Sequence, residues 1–306
     1  MTTIGIDLGG TKVAAGLVGD DGLIAERVEV STPADPARLA EVPGELIRQL
    51  MSPAVEALGL GVAGLVTAGG TMEFGPNLSG RHIPFRELLV EAFGLPVAVE
   101  NDASVAGLAE ARLGAGRGFR HVLMVTLGTG IGGGIVVDGS LYRGRSFAGE
   151  IGHMVVDPDG PRCTCGLLGC WEQLASGTAL DRMAGQAVEA EPEGTIARLA
   201  AGGQPDGELV TRAAQEGDRQ ALQIVERLAD WLGLGLANLI AVLDPEVIVI
   251  GGGLGKVGEL LLGPARPATR RALTGAAYRP ETPILEAMLE DPGIIGAALL
   301  AREAAR

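Results

Sequence analysis

Residues 3–18, TIGIDLGGTKVAAGLV, and residues 122–137, VLMVTLGTGIGGGIVV, are two readings of one pattern. Each is an apolar run suited to a strand, a glycine turn, and a second apolar run. Placing Asp7 on Thr126 aligns Leu8 with Leu127 and Gly9 with Gly128, and each copy reaches a turn, at Asp21-Gly22 and at Asp138-Gly139. The recurrence predicts an internal duplication. Two copies of one hairpin-led unit imply two similar α/β lobes with a cleft between them.

The rest of the chain reads as strands alternating with helices. Helices are predicted over 36–51, with a break at Pro43-Gly44, and over 87–93, 103–113, 178–190, 208–215, 219–243 and 293–305. Short apolar runs at 60–66, 96–100, 247–250 and 283–289 predict strands, and the Gly/Pro/Glu-rich stretch 190–207 predicts a mobile connection. The expected division is a small lobe of 1–117 plus 293–306 and a large lobe of 118–292.

Composition excludes several function classes. A formal net charge of -14 over 306 residues is wrong for nucleic acid, which needs clustered Lys and Arg. No apolar run reaches membrane-spanning length uninterrupted, so no membrane partner is expected. Three clustered cysteines without a charged, apolar leader point to a reducing cytoplasm. Aromatics are only 3%, so the core must rest on aliphatic side chains.

All three cysteines lie in residues 150–172, EIGHMVVDPDGPRCTCGLLGCWE. Three thiols cannot pair fully as disulfides. With His153, Cys163, Cys165 and Cys170 form the Cys3His set that tetrahedral zinc prefers, a closed structural site with no position left for water. Glu150 and Glu172 bracket the ligands, and folding the loop around zinc would bring both carboxylates to one rim, as acceptors for hydroxyl groups.

Three glycine turns are candidate phosphate or ribose sites. Gly9, Gly10, Thr11 and Lys12 offer backbone N-H groups, a hydroxyl and a charge, but Thr11-Lys12 leads into a strand, so this is no P-loop. Gly128, Gly130 and Gly133 satisfy G-x-G-x-x-G, yet residues 135–139 read as a strand and a turn, which excludes the dinucleotide fingerprint. The third turn is Gly251-Gly252-Gly253 after a β-branched strand. Asp102 stands at a strand's C-terminal end, where it would be either the N-cap of the next helix or a general base.

These stretches together resemble the ROK sugar kinases of the actin-like ATPase superfamily, in particular the bacterial glucokinases of that group. The resemblance covers essentially the whole chain. It rests on Asp7-Leu-Gly-Gly-Thr-Lys12, Glu100-Asn-Asp102-Ala, Leu127-Gly-Thr-Gly-Ile-Gly-Gly-Gly134, Glu150-x-Gly-His153, Cys163-x-Cys-Gly-x-x-Gly-Cys170-x-Glu172 and Gly251-Gly-Gly. It implies two RNase-H-like lobes closing on hexose and MgATP, with Asp102 deprotonating the C6 hydroxyl of glucose. It also implies that Asn101, Glu150, His153 and Glu172 ring the sugar hydroxyls and that Gly64 approaches the sugar through its backbone.

Nucleotide contacts are then expected from Asp7, Gly9, Gly10, Thr11, Lys12, Gly128, Thr129, Gly130, Gly132, Gly251 and Gly252, with ATP, Mg2+ and structural Zn2+ as cofactors. A homodimer or homotetramer is expected. Many relatives carry Pro-Gly where this chain has Ala63-Gly64, and Asn where it has Ser104. The first change lies by the sugar and bears on the choice among glucose, fructose, N-acetylglucosamine and N-acetylmannosamine. The family also contains sugar-responsive repressors with an added N-terminal DNA-binding domain. Here the first strand begins at Thr3, which leaves no room for one, and a silent sugar-binding protein is disfavoured by the intact Asp102.

Overall fold

The computed structural model describes residues 1–305. The chain opens with β1 (Thr2–Leu8), β2 (Lys12–Val18), β3 (Ile24–Ser31), α1 (Pro36–Leu50) and β4 (Val55–Val62). A small sheet of β5 (Leu65–Val66), β6 (Met72–Phe74) and β7 (Arg81–Ile83) precedes α2 (Phe85–Phe93), β8 (Val97–Asn101) and α3 (Asp102–Leu113). Then come β9 (Val122–Leu127), β10 (Ile131–Val137) and β11 (Ser140–Leu141). The helices α4 (Glu172–Ala175), α5 (Gly177–Ala190), α6 (Thr195–Ala200), α7 (Gly207–Gln215) and α8 (Arg219–Leu243) follow. The chain closes with β12 (Val247–Gly251), α9 (Glu259–Ala272), β13 (Ile284–Glu286) and α10 (Pro292–Ala304).

The duplication is visible in the sheets. One has the order β3-β2-β1-β4-β8 and the other β11-β10-β9-β12-β13, the same arrangement with each hairpin-led pair at its centre. In the first, β2 runs antiparallel to β1, while β4 and then β8 are parallel additions. The chain divides into two compact units. One comprises Met1–Met124, Gly133–Gly149 and the described residues from Ala287 onward; the other comprises Val125–Gly132 and Glu150–Glu286.

In the first unit β1 is buried on both faces, the near-continuous pattern of a central strand covered by helices on both sides. α1 and α2 cover one face through Leu39, Leu46, Ile47, Phe85 and Leu89. The opposite face receives α10 at backbone contact: a Cβ on Gly5 would strike the carbonyl oxygen of Ile294, and one on Gly59 that of Ala297. On α10 itself, a Cβ at Gly296 would strike the carbonyl oxygen of Val105 in α3. Bare backbone at these three positions is what lets two helices and a sheet approach so closely.

Several boundaries differ from the sequence reading. α1 runs unbroken through Pro43, because its N-cap Asp35 accepts from Arg38 N at 2.9 Å and its apolar face is buried. The strand expected over 60–66 starts earlier and stops at Val62, where Gly64 N donates to Val62 O at 2.8 Å and turns the chain. Within 190–207 lies α6, whose Ile196 is fully buried. α9 was not legible, since Pro264 and Pro267 lie inside it; its Leu261, Leu262, Ala265 and Ala268 are buried. Among the described residues no helix is long and apolar enough to cross a membrane.

Glu110 in α3 is 0% exposed, and its carboxylate is a hub for backbone donors. Oε1 accepts from Met288 N at 3.0 Å and Leu289 N at 2.8 Å, and Oε2 from Ala115 N at 2.8 Å. Removing it strands three N-H groups. Glu110→Ala is expected to lower unfolding free energy by about 3 kcal/mol or more, and Glu110→Gln by less, measured by denaturant titration.

Candidate active site

In the first unit the turn after β1 is closed by Gly9 N donating to Lys12 O at 3.0 Å, and Thr32 Oγ1 donates to Gly9 O at 2.6 Å. A Cβ on Gly10 would lie 2.7 Å from that of Asn77, so glycine is required there. Thr11 and Lys12 are exposed, Lys12 with Nζ 3.7 Å from Glu29 Oε2. Asp7, at the end of β1, packs against Gly293 near the N-terminus of α10. Burial and then repulsion from Asp102 push its carboxyl up from 3.8 to about 7, with Lys12 and Arg27 opposing.

Asp102 is not the N-cap of the helix it begins. Asn101 is: its Oδ1 accepts from Ser104 N at 3.0 Å, while its Nδ2 donates to Gly64 O at 3.2 Å. Asp102 is left as the first residue of α3, its Oδ1 accepting only the adjacent Ala103 N at 2.8 Å. Burial raises its carboxyl above the ordinary 3.8, outweighing the Ala103 hydrogen bond. A carboxylate released from capping and held as a stronger base suits proton transfer. Gly64 sits with bare backbone against Phe74 O, where a Cβ would lie 2.5 Å away.

In the second unit the glycine turn is shorter than expected. Gly128 N donates to Gly130 O at 3.0 Å, and β10 begins at Ile131, so Gly132 lies in a strand. The start of α5 docks on this turn, with Gly177 N donating to Gly128 O and Thr178 Oγ1 to Thr129 O, both at 2.8 Å. Gly251 is the buried end of β12. Gly252, at φ +84°, lies so close to β9 that a Cβ would strike Leu127 O, which also accepts from Leu254 N at 2.9 Å. Beside these turns is a cavity of about 540 Å³ lined by Gly128, Thr129, Thr178, Glu208, Thr211 and Leu254. Sequence reasoning missed Thr178, Glu208 and Thr211, which stand on helices with no local motif.

The cysteine loop brings its ligand atoms together. One atom from each of His153, Cys163, Cys165 and Cys170 lies within 4.8 Å of all the others. Cys165 Sγ and Cys170 Sγ are 3.5 Å apart and Cys163 Sγ is 3.7 Å from His153 Nδ1. Those spacings fit a tetrahedron of Zn–S bonds of about 2.3 Å, whose edges are roughly 3.7 Å, and are too long for a disulfide. Burial pushes the Cys163 and Cys170 thiols up, so thiolates there need a divalent cation. The set fits zinc.

Glu172 is held against the same loop. Its Oε1 accepts from Cys163 Sγ at 3.1 Å and lies 3.7 Å from His153 Nδ1. A Cβ on Gly130 would lie 2.5 Å from its Oε2, so the glycine turn and Glu172 are packed together. Glu150 precedes the 3-10 turn Ile151–His153, its carbonyl accepting from His153 N at 3.1 Å. Zinc, His153, Glu150 and Glu172 thus belong to one local framework.

Two copies of one five-stranded α/β sheet, each led by a hairpin turning on glycine, define the actin-like ATPase fold. Residues 3–304 match the ROK family, and the chain belongs to it. It is 42% identical over 309 residues to the glucokinase of Streptomyces coelicolor, covering 98% of each chain. It is 36% identical over 313 residues to an N-acetylmannosamine kinase of Escherichia coli, covering 99% of each. The crystal structure of a ROK family glucokinase from Streptomyces griseus, in complex with glucose and AMPPNP, superposes with a TM-score of 0.89 at 42% identity. That match covers 99% of this chain and 100% of the other.

Elemental analysis of the purified protein is expected to find about one zinc per chain, and Cys165→Ser to lower zinc affinity on the order of tenfold or more with a lower Tm. A zinc-free wild-type preparation would refute the assignment.

Proposed function

We propose that this protein is an ATP-dependent glucokinase that transfers the γ-phosphoryl group of ATP to the C6 hydroxyl of glucose. The observation that carries the reading is Asp102, a carboxylate with a raised pKa at the end of β8 whose capping duty Asn101 has taken over. Relatives that are glucokinases at 42% identity, with nearly complete coverage, support the substrate and donor.

In this reading Asp102 accepts the proton of the C6 hydroxyl as its oxygen attacks the γ-phosphorus, and the bond to the ADP oxygen breaks. Asn101 and the Gly64 backbone orient the sugar on one side. Glu150, His153 and Glu172 take the remaining hydroxyls, His153 through the ring nitrogen not given to zinc. The turns of Gly9, Gly10 and Thr11 and of Gly128, Thr129 and Gly130, with Lys12, hold the phosphates, the N-H groups of Gly9 and Gly128 being engaged in closing the turns themselves. Gly251 and Gly252 shape the turn beside the cavity that takes the nucleoside.

Mg2+ bound with the nucleotide neutralises charge on the phosphoryl group. Asp7, whose carboxyl is raised partly by a second negative charge, is the side chain that would face it. Three free thiols fit a cytoplasmic enzyme, and a homodimer or homotetramer belongs to the same reading. A second reading, phosphorylation of N-acetylmannosamine, draws on the relative at 36% identity and on Ala63 beside the sugar-facing Gly64.

Asp102→Asn is expected to lower turnover on the order of 10² to 10⁴-fold while glucose still binds, measured by coupled ADP release and calorimetry. The same assay run across hexoses and N-acetylhexosamines decides between the two sugars. Since the base must be unprotonated, and its folded pKa lies above 3.8, turnover should fall as pH drops through that raised value. An acid limb at the ordinary carboxylate position would count against Asp102.

A further inference from the structure

We infer that Glu100 and Arg143 form a positioning pair for the Asn101–Asp102 dipeptide. The inference rests on Asp102 being the proton acceptor and adds a residue from a distant part of the chain to its control.

Glu100 is only 5% exposed, and both of its carboxylate oxygens are engaged. Oε2 accepts from Arg143 Nε at 2.5 Å, and Oε1 accepts from the backbone N-H of Asn101 at 3.0 Å. A carboxylate removed from water needs an opposite charge, and Arg143 provides it. The second oxygen then fixes the peptide that leads into the dipeptide. Asn101 is held at three points: its N-H by Glu100, its Oδ1 by Ser104 N and its Nδ2 by Gly64 O. The Asp102 side chain is held by adjoining backbone, Ala103 N at 2.8 Å, so its direction is inherited from the backbone that Glu100 orients.

Arg143 is itself anchored. It lies in a turn closed by Ala148 N donating to Arg143 O at 3.2 Å, with left-handed glycines at Gly144, φ +55°, and Gly149, φ +104°. Ser146 Oγ in the same turn accepts from Ala68 N at 3.2 Å. This segment runs directly into Glu150. One ion pair therefore sets the backbone behind the proton acceptor from a turn that is itself fixed. Glu100 is buried but the Arg143 side chain is 37% exposed, and such a half-buried pair adds little net stability, so geometry is the role that fits Arg143.

The test is steady-state kinetics of Arg143→Met, Glu100→Gln and their double variant, beside Asp102→Asn, with thermal melts of each. The expected result is a kcat for glucose lower by roughly 10- to 100-fold in each single variant, with KM for ATP within about twofold and Tm near the parent's. The double variant should be no worse than the worse single, because the two side chains act as one unit. Single-variant kcat values within about twofold of the parent, losses that multiply, or losses that only track the folded fraction would overturn the inference. If Arg143→Met does not fold, Glu100→Gln, which keeps an acceptor for Asn101 N-H, decides by the same criteria. An active Asp102→Asn would instead remove the base assignment on which the pair depends. An inactive Asp102→Asn beside fully active Arg143→Met and Glu100→Gln would remove the pair alone.

Discussion

Backbone packing without side chains between is the constraint on which the first unit depends. Gly5 and Gly59 on adjacent strands bring α10 down to carbonyl contact with the sheet, and Gly296 brings α3 to α10 in the same way. Any Cβ at these positions would push a helix outward, and the first residue of α3 is Asp102. The position of the Asp102 carboxylate, the proposed base, is thus set by the absence of three side chains elsewhere. Glu110, farther along α3, locks the same helix by gathering backbone N-H groups from two separate segments.

The electrostatics follow from that packing. Asp7 and Asp102 are both drawn out of water, and each holds its proton more tightly than an exposed carboxyl would. Two such acids near each other suit the proposed phosphoryl transfer, which needs a cation and a proton acceptor. Glu100, two residues before Asp102, is instead matched by Arg143. The three carboxylates therefore have different environments.

The second unit solves a different problem by other means. His153 ends a 3-10 turn and Glu172 opens the short α4, and the segment between them has little regular structure, where backbone hydrogen bonding alone gives weak definition. Four ligand atoms gathered within 4.8 Å would, with zinc bound, supply a rigid centre instead. Contact of Glu172 with Gly130 ties that centre to the turn that borders the cavity of about 540 Å³.

By itself the sequence determined the duplication, the strand-turn-strand hairpins, the long helix α8 to the residue, and the Cys3His set, because each is a local periodicity or a dense cluster of rare side chains. It also placed Asp102 at a strand end but left its role open between cap and base. Tertiary structure removed the cap reading, since the cap is whichever side chain reaches Ser104 N, and Asn101 reaches it. Tertiary structure alone also paired Glu100 with Arg143 and Glu110 with Met288, and it made helices of a proline-bearing stretch and a Gly/Pro-rich one. Those outcomes depend on burial against partners far away in the chain, and no local pattern carries that information.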